Sequence, residues 1–123
     1  GKQVKFLGEV EEAEKVKLMK SCKALLYATR FPEITGHKYQ EALMCGCPII
    51  LRNVGSANEF VEMGFNGYLC HSDEDFIRAI EGMEKSVFDC DAISKKAHEV
   101  YSIPLVIAQH VTLYEEVANG KKW

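Results

Sequence analysis

The sequence predicts an α/β domain on a short parallel sheet, and three observations predict it. Short apolar runs alternate with amphipathic helical segments between Val4 and Cys70. Gly36, Gly46, Pro48, Gly64 and Gly67 punctuate the joints. The connections between apolar runs are helical rather than hairpin-like, which is what neighbouring parallel strands require. The expected architecture is a Rossmann-like three-layer domain with a sheet of about four strands and C-terminal helices.

Each element has its own local reason. Residues 4–7 (Val-Lys-Phe-Leu) read as a short strand. Residues 11–22 are helical, with Ala13, Val16, Met19 and Cys22 at threefold spacing and charges elsewhere. Residues 24–28 are an apolar run short enough for a buried strand. Gly36 opens a helix over 36–45 in which Ala42, Leu43 and Cys45 face inward and Lys38 and Gln40 face water. Gly46 closes it, and Pro48 begins the strand 48–51. Asn53 to Ser56 is a turn, and Ser56 is an N-cap candidate for a helix reaching Met63. A strand follows at 68–70.

Ser72 and Asp75 have capping-box spacing before a helix whose buried stripe is Phe76, Ala79, Ile80 and Met83. Asp89 or Asp91 starts the next helix, with Ile93, Ala97, Val100 and Tyr101 on one side. Ser102 and Pro104 mark a break. The last helix, 105–118, is apolar beyond one stripe, which suits cover on more than one side. Residues 119–123 read as a flexible tail.

Composition narrows the function. The chain has 123 residues, the size of one domain, and 47% of them are hydrophobic. A net charge of −3 without a basic tail excludes nucleic acid as a default partner. No apolar run approaches the roughly 20 residues of a membrane helix, so no transmembrane segment is expected. The start leads straight into a strand and does not read as a signal peptide. The five cysteines (Cys22, Cys45, Cys47, Cys70, Cys90) are odd in number and irregular in spacing. That argues against a disulfide framework and for a reducing, cytoplasmic setting. Cys45 and Cys47 lack a second pair or a suitably spaced histidine, and read as small residues at a helix-to-strand turn.

The candidate chemistry lies in residues 31–48. Glu33 and Glu41 stand eight positions apart, with Gly36 and a helix start between them. Unsatisfied amides at a helix N-terminus attract anionic oxygens. Ionised carboxylates only accept, which suits sugar hydroxyls. Together these features describe a nucleotide-sugar site; an ordinary loop and amphipathic helix with exposed acids has the same spacing. In a parallel sheet, ligands bind beyond the carboxyl ends of strands. The loop 29–36 and the loop holding Asn53 and Gly55 both lie there. The run Asp73-Glu74-Asp75 reads as a capped helix start rather than a metal site. His71, His98 and His110 read as structural or solvent-facing.

This stretch resembles the Glu-x7-Glu motif of retaining glycosyltransferases of family four, which have the GT-B architecture. Glu33, Gly36, Glu41, Ala42, Gly46 and Pro48 stand at the matching positions, while Ile34, Thr35, His37 and Lys38 depart from the usual residues. Residues 4–8 look like the family's preceding strand. Asn53-Val54-Gly55 with Glu59 looks like its following loop, and residues 62–69 are similar to its glycine-rich ending.

The resemblance implies that residues 1–123 are part of a C-terminal donor-binding domain. The parent enzyme would move a sugar from a nucleotide-diphosphate sugar to an acceptor with retention. Glu33 would be the catalytic carboxylate at the transferred sugar. Glu41 would hold the ribose hydroxyls, and Gly36, His37, Asn53 and Gly55 would complete the donor site. No metal or organic cofactor is implied. The family's diphosphate-clamping Arg and Lys, and its acceptor domain, have no counterpart here. An N-terminal acceptor domain or another chain is therefore the expected partner, and the chain alone is expected to be inactive in transfer. The last helix would cross back to the other domain, although a buried helix or a dimer contact also explains its breadth. A nucleotide-sugar epimerase and a non-catalytic nucleotide-sugar binding or interaction module are the alternatives.

Overall fold

The computed structural model describes residues 4–32 and 36–122. Its order is α1 (Glu12–Ser21), β1 (Leu25–Tyr27), α2 (His37–Met44), β2 (Ile49–Arg52), α3 (Ala57–Phe60), β3 (Gly67–Cys70), α4 (Asp73–Lys85), α5 (Cys90–Tyr101) and α6 (Ile103–Ala118). The strands pair in parallel in the order β1-β2-β3. The expected α/β architecture is therefore present, with a short parallel sheet and C-terminal helices.

The middle strand explains the layering. Side chains alternate across a strand. Ile49 and Leu51 point to one face, where they join Tyr39, Ala42, Leu43, Ala57, Phe60, Ile93 and Ala97 in a core shared by α2, α3 and α5. Ile50 points to the other and packs with Cys70, Phe76 and Ala79 under α4. With helices on both faces, β2 is apolar through Ile49, Ile50 and Leu51 before ending at Arg52, as buried parallel strands are. At Gly67 the strands approach so closely that a Cβ would lie 1.7 Å from the Ile49 carbonyl oxygen.

Two sequence expectations differ from the structure. Residues 4–7 form no strand, so the sheet has three strands among the described residues rather than about four. Phe6 is 94% exposed there. An apolar pattern supplies a strand's side chains but not its hydrogen-bonding neighbour, and β1 is the sheet's edge without it. The helix after Ser56 ends at Phe60 and does not reach Met63. The buried side chain of Asn66 takes over that ladder: its Nδ2 donates to the Phe60 carbonyl at 2.9 Å, and its Oδ1 accepts the Glu62 amide at 2.8 Å.

Several local signals appear as read. Ser72 and Asp75 form a reciprocal capping box, and Asp89 caps α5 through the Ala92 amide. Ser94 Oγ donates to the Met44 carbonyl at 2.7 Å, tying α5 to the end of α2. The last helix packs on α5, yet none of its residues is fully buried. Ile103, Ile107, Val111, Tyr114 and Val117 stay exposed along one stripe. Beyond it, Gly120 turns with positive φ and the Lys121 amide returns to the Glu116 carbonyl. No helix of the described residues is long and apolar enough to cross a membrane.

Candidate functional site

The carboxyl ends of β1, β2 and β3 open onto one edge, where the loops before α2, α3 and α4 begin. Gly36 sets the geometry of the first loop. It caps α2 with φ 62° and ψ 29°, a left-handed conformation. A Cβ there would lie 2.5 Å from Cε2 of Phe60 and 3.0 Å from Cδ2 of Tyr39. Those rings belong to an aromatic ladder: Tyr27 to Tyr39 at 5.5 Å and Tyr39 to Phe60 at 5.4 Å, both edge-on, then Phe60 to Tyr101, tilted, at 5.9 Å. The aromatic ladder thus seats the turn that starts α2. Sequence reasoning missed Tyr39, although its spacing from Ala42 and Leu43 places it on the same inward stripe.

His37 and Lys38 follow on the exposed side. Lys38 Nζ donates to the Tyr27 hydroxyl at 3.0 Å. One turn on, the half-exposed Glu41 carboxylate accepts from Lys15 of α1 at 3.1 Å. Lys15 also meets Glu12 at 2.8 Å. Hydrogen bonds to Glu12 and Glu41 hold the Lys15 ammonium above its ordinary range. Lys15 is the cation at this site that sequence reasoning missed. Its signal was only one charge on an amphipathic helix, and the contact spans the whole β1 crossover.

The loop after β2 presents a second group. The Asn53 amide donates to the Cys70 carbonyl at 2.8 Å, and its Nδ2 lies 3.3 Å from His71 Nδ1. Gly55 is exposed at φ 57°. The structure thus pairs Glu41 with Lys15 and Asn53 with His71, rather than joining them to each other. Asn53 and His71 follow the carboxyl ends of β2 and β3, whereas Glu41 and Lys15 sit within α2 and α1. Glu33, the expected catalytic residue, lies outside the described residues, as do Ile34 and Thr35.

Between the two groups, Arg52 acts as a brace. Its Nε donates to the Ala28 carbonyl at 3.3 Å, and its Nη2 meets Asp73 Oδ1 at 2.6 Å. The guanidinium also lies 5.0 Å from the Phe76 ring centre. Its side chain is 14% exposed, so it links the end of β1 to the start of α4. Arg30, 79% exposed and 3.8 Å from Asp73, is the freer cation of the two. The Arg52 hydrogen bond, foremost, holds the Asp73 carboxyl below its usual range. Asp75 is held down chiefly by the His71 amide. Both acids are thereby engaged in helix capping and bracing, and no group of three candidate ligands is arranged around a metal position among the described residues.

A separate cavity of about 260 Å³ lies between α3 and α5, lined in part by Glu59, Phe60, Glu62, Lys96 and Tyr101. Lys96 pairs with Glu62 and lies 4.9 Å from the Phe65 ring centre. None of the expected donor-site residues lines it, whereas Glu59 does.

The family described as Glycosyl transferases group 1 matches residues 1–100. A human protein, alpha-1,3/1,6-mannosyltransferase ALG2, is 35% identical over 82 residues, which are 66% of this chain and 20% of that protein. The crystal structure of Anabaena HepE in complex with UDP aligns with a TM-score of 0.68 at 24% identity, covering 81% of this chain and 29% of that one. The same protein in complex with UDP-glucose gives a TM-score of 0.66 at 25% identity over the same shares. The chain thus spans about a fifth of the human relative's length.

Proposed function

Because the chain belongs to the Glycosyl transferases group 1 family, we propose that it forms part of a nucleotide-sugar donor-binding domain. The parent enzyme transfers a sugar from a nucleotide-diphosphate sugar to an acceptor with retention of anomeric configuration. The observation that carries this reading is the pairing of Gly36 and Glu41 on one helix at the sheet's carboxyl edge. Among the described residues, the start of α2 has no side-chain cap and no acid in its first turn. That electrostatic setting favours phosphate or sugar oxygens beside Gly36 and His37. One turn on, Glu41 offers the acceptor oxygens that ribose hydroxyls need. Glu33 serves the transferred sugar, and Asn53 and Gly55 border the donor from the next loop. The UDP and UDP-glucose complexes of the similar Anabaena protein support a donor of this chemical class.

Lys15 occupies Glu41 in the structure. Both side chains are substantially exposed, and an ion pair of that kind yields at small cost. Ribose hydroxyls therefore displace Lys15 when the donor binds. In this reading the reaction uses no metal, and protein cations offset the charge on the leaving diphosphate. An N-terminal acceptor domain or another chain supplies the acceptor site, in the cytoplasm.

Calorimetric titration of the parent protein with UDP-, GDP- and ADP-sugars tests the reading, with Glu41→Ala beside it. The expected result is affinity for one base class, weakened at least about tenfold by the substitution, or about 1.4 kcal/mol. Undiminished binding in Glu41→Ala would remove the ribose assignment.

A further inference from the structure

One pair of reactive groups outside the edge site stands in contact. The Sγ atoms of Cys22 and Cys47 lie 3.3 Å apart, although the residues are 25 positions apart in sequence. Cys22 is exposed and follows the last turn of α1. Cys47 is buried immediately before Pro48 and β2. The fold alone makes this pair, since neither residue's local sequence points to the other.

We infer that Cys22 and Cys47 are an oxidisable dithiol, which closes to a disulfide under hydrogen peroxide and fastens the end of α1 to the start of β2. Exposure assigns the order of events. The Cys22 thiol gives up its proton and its sulfur takes one oxygen of the peroxide. The O–O bond breaks, the sulfur becomes a sulfenic acid, and the other oxygen leaves as water with the released proton. The Cys47 sulfur then attacks the Cys22 sulfur. The S–O bond breaks, and the hydroxyl departs with the Cys47 proton as a second water. Two thiols are oxidised, one peroxide is reduced, and no other reactant is needed. Burial pushes the Cys47 thiol well up, so it is not the first target, and it gives its proton to the departing hydroxyl only as the S–S bond forms. Bond formation asks the sulfurs to close to about 2 Å, a movement the exposed Cys22 side chain can make.

The bond has a structural consequence. None of the residues of α1 is buried. The helix is held by Met19 against the core, by Lys15 on Glu41 and by the Cys22 contact. A covalent link at its C-terminal end keeps α1 docked, with Lys15 over Glu41. The Cys22–Cys47 contact itself does not depend on whether a donor binds at Glu41.

Peroxide treatment of the folded chain, followed by non-reducing peptide mapping, tests the inference. The expected product is one cross-linked pair of peptides carrying Cys22 and Cys47, lighter by two hydrogens and restored by dithiothreitol. Amide exchange in α1 should slow roughly tenfold on oxidation. Cys22→Ser, at an exposed position, should abolish the cross-link, while Cys45→Ser should preserve it. Cys47→Ser is a weaker probe because its buried site affects folding. Recovery of Cys22 as sulfinic acid beside a free Cys47 thiol would overturn the inference, and so would a cross-link running through Cys45.

Discussion

Helices α2 and α6 are both apolar along one side, yet they end in opposite environments. The shorter one, with 8 residues, buries Tyr39, Ala42 and Leu43. The longer one, with 16, buries none and exposes Ile107, Val111 and Tyr114. Length and apolar content therefore do not decide burial here. Position does: α2 packs against both β2 and α5, whereas α6 packs on α5 along one side. The energetic weight of the chain accordingly sits around the sheet and the Gly36 turn, where the candidate site is built.

Paired truncations give the sharpest test of that contrast. Leu43→Ala should lower unfolding stability in urea by about 3 kcal/mol, since the site is enclosed and leaves a cavity. Ile107→Ala on the exposed stripe should cost less than about 0.5 kcal/mol. Equal losses would mean that α6 is covered in solution, which would break the comparison. Next in size, Gly36→Ala should cost about 2 kcal/mol, from left-handed strain and from overpacking against Phe60. Wild-type stability in that variant would show that the aromatic ladder gives way more easily than its spacing implies.

The smallest effect concerns the start of α4. Asp73 and Asp75 have carboxyl groups held below their usual range by Arg52 and by the His71 amide respectively. A lowered folded pKa stabilises above the unfolded carboxylate value and loses that contribution as pH falls through the folded one. Thermal melts should therefore decline below about pH 4. Asp75→Asn should flatten the decline, and an unchanged slope would assign the acid sensitivity to other carboxylates.

Much of the fold was legible because its signals are local. The Ser72–Asp75 box and the Asp89 cap each depend on a few neighbouring residues. The parallel order followed from helices lying between apolar runs. The strand at residues 4–7 was misread because its pattern is local but its partner is not. The end of α3 was misread because Asn66, a turn residue in sequence, becomes a buried acceptor and donor once folded.

The same division runs through the candidate site. Sequence alone determined Gly36 at a helix start, Glu41 within the helix, and Asn53 and Gly55 on the neighbouring loop, since chain order in a parallel sheet dictates which loops share an edge. Only the tertiary structure decided that Lys15 meets Glu41, that Arg52 braces Asp73 and that Cys22 touches Cys47. Those contacts join different elements. A residue's type states what it can bond, and the packing of the elements on the sheet selects which partner comes within reach.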